Sequence, residues 1–349
     1  MITMSAKTKV FGHLLLEVIR PERCVACGAC ISVCPVEAIS FVDGLPKLTG
    51  KCTACGTCYL SCPRAEHEIG ELEVTHLGRK RGADEISSGV IRGAYAVRTL
   101  RSDLVGHVQD GGAVTSLLLN SIADGISVVV AGIDEGNVWS PVPMLARDEE
   151  KVIACAGTKY TSTPMLLGLM EADKEGGGSV VLVSTPCQIH GLRRRQQQIK
   201  NDKTFAIGLF CMETFDYNRL MSYLREQGVD PKQVKKFEIK GGKFIAHREG
   251  QAPFEVKIKR LKELSRPCCR ICQDYTSELA DLSVGNVGSP DGWSTVLVRS
   301  EKGEAALKSA EKRGLIEVKP LSDYQPGMSL VIKLSDLKKR ENTGKPLEQ

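Results

Sequence analysis

No run of apolar residues in this 349-residue chain approaches the length of a membrane span; stretches such as Ile126 to Ala131 are strand-sized. An excess of one charge is also missing. Lys and Arg total 47 against 42 Asp and Glu, too balanced to predict nucleic-acid binding. Aromatic residues, 5% of the chain, do not interleave with basic ones, which removes the other usual sign of a nucleic-acid surface. The first twenty residues lack a signal peptide's unbroken apolar centre, because Lys7 and Lys9 precede a stretch interrupted by His13 and Glu17. No Gly-x-Gly-x-x-Gly follows an expected strand, so a Rossmann dinucleotide site is unsupported. The expectation is a cytoplasmic protein without direct membrane insertion, held at the inner face of a membrane only through partner subunits. In that reducing compartment thiols serve metal.

Cysteine, by contrast, is plentiful, with fourteen residues. Eight of them form one ladder written twice. Cys24, Cys27, Cys30 and Cys34 precede Pro35, and Cys52, Cys55, Cys58 and Cys62 precede Pro63. Each run reads C-x2-C-x2-C-x3-C-P, the bacterial ferredoxin spacing, in which the fourth cysteine serves the neighbouring cluster. The spacing therefore assigns Cys24, Cys27, Cys30 and Cys62 to one [4Fe-4S] cluster, and Cys52, Cys55, Cys58 and Cys34 to another. Zinc is the weaker reading, since two such ladders stand in tandem.

Residues 1–75 are expected to form this two-cluster ferredoxin domain, with short strands at Leu14–Ile19 and Ile39–Val42 and a turn at Asp43-Gly44. Residues 76–91 read as a solvated linker, basic from Gly78 to Gly82. From 92 to 335 helical and strand patterns alternate, which predicts an α/β domain around a central sheet. Its helices are expected over Ala113–Asp124, Thr163–Lys174 and Tyr217–Gln227, with strands at Ile126–Gly132, Ser179–Ser184 and Thr204–Phe210. Gly176-Gly177-Gly178 reads as a helix-to-strand loop. A hairpin follows around Gly241-Gly242, and a strand at Phe254–Ile258. Strand, helix and strand come next, at Ser294–Ser300, Gly303–Arg313 and Ile316–Pro320. Residues 336–349 read as a polar, frayed tail.

Six cysteines lie outside the ladders. Cys187 and Cys211 follow the expected strands ending at Ser184 and Phe210. In an open α/β sheet the carboxyl ends of parallel strands share one edge, where ligands gather. Cys269 and Cys272 could complete a four-thiol set there. Buried, inert cysteine accounts for the same residues equally well at this point.

Five motifs, taken in order, are similar to those of the family of coenzyme F420 hydrogenase/dehydrogenase beta subunits. They are Ala156–Thr161 (AGTKYT), Thr185–Gln188 (TPCQ), Phe210–Phe215 (FCMETF), Cys269–Tyr275 (CRICQDY) and Gly285–Thr295 (GNVGSPDGWST). The resemblance covers about residues 92 to 335. It implies a third [4Fe-4S] cluster on Cys187, Cys211, Cys269 and Cys272 beside FAD, leaving Cys155 and Cys268 as free thiols. The N-terminal double ladder is similar to that of the family's reduced-F420 dehydrogenase branch, and the hydrogenase beta subunits lack it. The implied fold class is α/β (α+β): a bacterial-type two-[4Fe-4S] ferredoxin domain followed by a flavoprotein domain.

With that resemblance, three segments become candidates for the flavin. Gln109, Asp110, Gly111 and Gly112 open a helix, where glycine lets a phosphate approach backbone N–H groups. Gly157, Thr158, Lys159, Tyr160 and Thr161 offer hydroxyls and an ammonium. Gly288, Ser289, Pro290, Asp291, Gly292, Trp293, Ser294 and Thr295 form a turn between strands. Each segment alone reads as an ordinary tight turn. Arg193-Arg194-Arg195 is a candidate cationic cluster for the coenzyme's acidic tail, against a solvated helix face. His190 is a candidate proton relay, against a plain surface histidine.

The implied activity is reduced coenzyme F420 oxidation. A deazaflavin gives up hydride and resists one-electron chemistry, cubane clusters take one electron at a time, and FAD can do both. No side chain is assigned a catalytic role. The partners implied are a membrane-bound respiratory complex reducing methanophenazine or a quinone, or ferredoxin, and no nucleic acid. Two alternatives stand beside this: the beta subunit of an F420-linked hydrogenase or formate dehydrogenase, and a flavin-free polyferredoxin-like module.

Overall fold

The computed structural model describes residues 8–175, 178–200 and 202–342. Lys7, the Gly176-Gly177 part of the expected loop and residues 343–349 of the expected tail lie outside them.

Near the amino end Phe11–Leu14 is an α-helix that continues as a π-helical turn over Leu15–Ile19, where a strand was expected. The reason lies in the spacing of the buried residues. Phe11, Leu14 and Val18 bury at helical intervals, while Leu16 is exposed. A hairpin of β1 (Ile39–Val42) and β2 (Leu45–Leu48) follows. Its turn places Asp43 and Gly44 at positive φ, as the dipeptide predicted.

The strands that follow are β3 (Gly93–Thr99), β4 (Ser127–Ile133), β5 (Pro141–Ala146), β6 (Val180–Ser184) and β7 (Phe205–Leu209). After them come β8 (Val234–Lys240), β9 (Lys243–Arg248), β10 (Phe254–Lys257), β11 (Leu282–Gly285), β12 (Ser294–Val298) and β13 (Ile316–Pro320). Eight form one sheet in the order β13-β3-β12-β11-β7-β6-β4-β5. Its middle run, β11-β7-β6-β4, is parallel, and antiparallel strands close both sides. β8, β9 and β10 make a small separate sheet. Val128, Val129, Leu182, Ala206 and Leu282 are buried, as strands covered on both faces require.

In the basic stretch, Gly78, Arg79, Lys80 and Gly82 are exposed, as expected of a connector, while Arg81 is half-buried. The Arg81 guanidinium holds Glu73 and Glu278, each at 2.5 Å, from a position shielded on both sides. At the carboxyl end Gly327–Glu341 is a helix, and Lys338 on it is buried. The expected polar tail therefore begins inside a packed element. Among the described residues no helix is long and apolar enough to cross a membrane.

Candidate metal centre

The two ladders fold alike. Ala26 and Ala54 sit at positive φ (53° and 57°), and so do Gly28 and Gly56 (88° and 84°). These left-handed steps coil each run of three cysteines around a common point. Backbone amides then face sulfur: Ala26 N–H donates to Cys24 Sγ at 3.4 Å and Ala54 N–H to Cys52 Sγ at 3.3 Å. The fourth cysteine of each ladder is treated likewise, by the amides of Ala38 and Arg64.

Cys24, Cys27, Cys30 and Cys62 line one cavity. Cys34, Cys52, Cys55 and Cys58 line another. Each ladder thus lends its last cysteine to the other's cavity. Among the described residues no three His, Cys, Asp or Glu side chains converge closely enough to hold a single ion. Four thiols around a cavity, with amides aimed at their sulfurs, instead fit a multi-iron cluster. Burial pushes Cys27 and Cys30 well above ordinary thiols, so taking up a cluster there would release protons.

The other four thiols meet at the sheet's carboxyl edge. Cys187 lies in the first turn of the helix Pro186–Gln196 after β6. Cys211 follows β7, its N–H donating to Tyr275 O at 2.9 Å. Cys269 and Cys272 come from the turn Pro267–Ile271 and its end. Cys211 faces Cys269, Cys187 and Cys272, and burial pushes it well above an ordinary thiol. Cys268, expected as a free thiol, is buried directly beside the set: its hydrogen bond with Cys269, then burial, raise it, and the same bond lowers Cys269. Cys155 lies against Met144 Sδ at 3.7 Å.

Three residues around this set had no sequence signal. Lys338 Nζ donates to the carbonyl oxygens of Cys211 and Asp274. Asn342 Nδ2 donates to those of Cys269 (2.8 Å) and Cys272 (2.7 Å). Arg64 Nη2 donates to Cys268 O at 3.1 Å across 204 residues of chain.

The candidate flavin segments meet beside this edge. Gly112, at φ 71°, opens the helix Ala113–Ala123. Thr158 N–H donates to Gln109 Oε1 at 3.4 Å, and Lys236 Nζ to Gln109 O at 3.3 Å. Gly111 is pressed onto the Trp293–Ser294 backbone, where an added Cβ would sit 2.5 Å from Ser294 N. Asp110 meets Asn286 just past β11, and burial pushes its carboxyl up. Tyr160 Oη accepts from Ile239 N–H at 3.0 Å. Thr161 bridges to Phe215. Paired glycines before an eleven-residue helix, with Asp110 and Tyr160 alongside, fit a dinucleotide's pyrophosphate and polar ring edge.

Other candidates are committed elsewhere. Lys159 Nζ donates to the carbonyls of Cys155, Ala156 and Gly157, and burial brings it down to about 8. Ser289 and Thr295 hydroxyls bond each other at 2.7 Å, and Thr295 caps Val287 O. Gly288 packs on Gly327 O, and Asp291 pairs with Lys240 at the surface. The Trp293 ring is covered by Arg98 and Lys319, at 4.7 and 5.3 Å from its centroid. Pro290 O accepts from Trp293 N–H, and Gly292, at φ 78°, lies in open space, so both shape the turn.

Neither reading of the arginine triplet holds. All three are buried: Arg193 pairs with Asp281 at 2.9 Å, Arg195 with Asp202 and Asp173, and Arg194 lies near Cys62. Acids outside the helix neutralise two of them. Nor is His190 a plain surface histidine, because its Nε2 bonds His67 Nε2 and burial drives it well below the usual range.

Residues 94–170 and 177–324 match the models of the N- and C-terminal parts of the coenzyme F420 hydrogenase/dehydrogenase beta subunit, and 17–40 match a 4Fe-4S binding domain. The chain is 36% identical over 263 residues to the coenzyme F420 hydrogenase beta subunit of Methanothermobacter thermautotrophicus, covering 72% of this chain and 93% of that one. It is 31% identical over 330 residues to a component chain of the F420H2 dehydrogenase of Methanosarcina mazei, covering 94% and 92%. Among solved structures it is similar to a chain of the F420-reducing [NiFe] hydrogenase complex from Methanosarcina barkeri. That match has a TM-score of 0.71 and 32% identity, and covers 74% of this chain and 92% of that one.

Proposed function

Because this chain belongs to the family of coenzyme F420 hydrogenase/dehydrogenase beta subunits, we propose that it oxidises reduced coenzyme F420 and hands the electrons singly to a partner. Bound FAD would accept one hydride and give up its two electrons singly, its proton going to solvent, and three [4Fe-4S] clusters would supply the route for the electrons. The loop Gln109–Gly112, with Thr158 and Tyr160, holds the flavin at the sheet edge, with the helix at Ala113 facing its pyrophosphate. Cys187, Cys211, Cys269 and Cys272 stand as the first relay site, and the two ladder cavities as the next two. The receiving partner belongs to a membrane-bound dehydrogenase complex, whose final acceptor is methanophenazine or a quinone, or it is ferredoxin. The observation that carries this reading is the adjacency of the three thiol sets. The helix that carries Cys187 packs its Gly191 against Cys27, and Cys30, Cys58 and Cys62 share one buried cluster.

The similarity to hydrogenase chains favours a second reading, in which this chain is the electron-transfer beta subunit of an F420-linked hydrogenase or formate dehydrogenase. Anaerobic purification, with iron, sulfide and flavin counted, tests both. Three clusters, one FAD and oxidation of the reduced coenzyme by a one-electron dye, read as the return of the deazaflavin's visible absorption, are expected. Material that binds no flavin after reconstitution overturns the proposal, and a copurifying nickel or molybdenum protein favours the second reading.

A further inference from the structure

Two arginines cross between the first thiol cavity, lined by Cys24 and Cys62, and the edge site in opposite directions. Arg64 follows Cys62-Pro63, and its backbone N–H donates to Cys62 Sγ at 3.4 Å. Its side chain runs the other way, donating to Cys268 O at 3.1 Å and hydrogen-bonding Cys272, with Cys187 beside it. The same guanidinium also faces Cys24. Arg266, two residues before Cys268, returns the contact: it donates to Val25 O at 3.1 Å and Cys24 O at 3.3 Å. Both arginines bond carbonyls and both bring positive charge to Cys24, and Arg64 is the one that also lies beside Cys187 and Cys272. Arg64 Nε, buried, has no partner among the described residues.

A guanidinium stays charged in proteins. Charge and hydrogen bonding at the sulfurs tune a cluster's potential, and a cation in a shielded place acts more strongly than one in water. We infer that Arg64 is a positioning residue whose fixed positive charge is shared by the Cys187 and Cys24 sites and stabilises whichever of them holds the electron. The step concerned moves no proton and breaks no bond: one thiol-held site is oxidised by one electron and its neighbour reduced by it. The inference rests on the reading that both sites carry clusters.

The test is an EPR-monitored redox titration of the reconstituted full chain as wild type, Arg64→Gln and Arg64→Lys, with iron and sulfide counted in each. Arg64→Gln should lower the potential of the edge cluster, changing its reduced-to-oxidised ratio by about tenfold at a fixed potential. Arg64→Lys, which keeps the charge and loses the fork, should restore most of it. Loss of the edge cluster from Arg64→Gln alone, with Arg64→Lys intact, supports the same charge requirement. Unchanged potentials in Arg64→Gln, equal shifts in both variants, or loss of the cluster from both overturn it in favour of a packing role. Wild-type protein that binds no cluster at Cys187 fails the underlying reading instead, so the two failures are separable.

Discussion

At the scale of the residue, the thiols of the ladders were legible and their neighbours were not. Cysteine spacing is local, because a cluster bonds three ligands within seven residues, and the sequence displays that geometry directly. Lys338 has no such signature. Its Nζ serves the carbonyls of Cys211 and Asp274, 127 and 64 residues away, from a position only 2% exposed. Burial opposes its charge, but Cys272, Cys211 and Asp274 more than offset that and raise its pKa. Replacing it with methionine leaves two carbonyls without their shared donor beside the edge thiols. Lys338→Met should cost about 2–4 kcal/mol of stability, measured by denaturant unfolding of the reconstituted protein. Iron content should fall with it. A variant within experimental error of wild type on both counts would show that the lysine is a bystander. The arginine triplet was misread for the same physical reason: three adjacent bases look solvated until Asp281, Asp202 and Asp173 arrive from other elements.

At the scale of the element, the parallel strands were legible because strands buried on both faces are short apolar runs. Val180–Ser184 and Phe205–Leu209 fell where their runs lie. Leu14–Ile19 failed because six apolar-rich residues suit either period, and only the neighbours Phe11 and Gly12 reveal the helical one. The join between helix and sheet at this edge depends on one glycine. Gly111 touches the Trp293–Ser294 backbone and Val97 O so closely that a Cβ would lie 2.5–2.6 Å from three backbone atoms. Backbone cannot rotate away as a side-chain tip can. Gly111→Ala should therefore push the start of the helix Ala113–Ala123 off β12, and with it the N–H groups proposed to face the pyrophosphate. The expected outcome is protein with its iron largely retained and its FAD largely lost, read from acid-extracted flavin against iron. Equal loss of both would point to general unfolding, and full flavin retention would move the pyrophosphate away from this helix.

At the scale of the whole molecule, the three thiol sets form a series with a definite outer end. The helix that begins at Cys187 packs its Gly191 against Cys27, so the edge site adjoins the first ladder cavity. Cys30, in that cavity, shares a buried cluster with Cys58 of the second. Exposure then gives the direction, because Cys27, Cys30 and Cys62 of the first cavity are buried whereas Cys52 and Cys55 of the second are exposed. The second cavity is the one that a partner can approach. Two serine variants separate its role from that of the inner one. Cys58→Ser should cost roughly a third of the iron. It should leave reduced coenzyme able to reduce the flavin and the two inner sites, while electron delivery to a protein partner collapses. Cys30→Ser should leave the outer cluster assembled but no longer reducible by the coenzyme, since the thiol site next to it is interrupted. EPR of each variant after mixing with reduced coenzyme, alongside the rate of partner reduction, reads both outcomes. If Cys58→Ser still served the partner at the wild-type rate, electrons would have to leave from an inner site, and the outer cavity would lose its place at the end of the series.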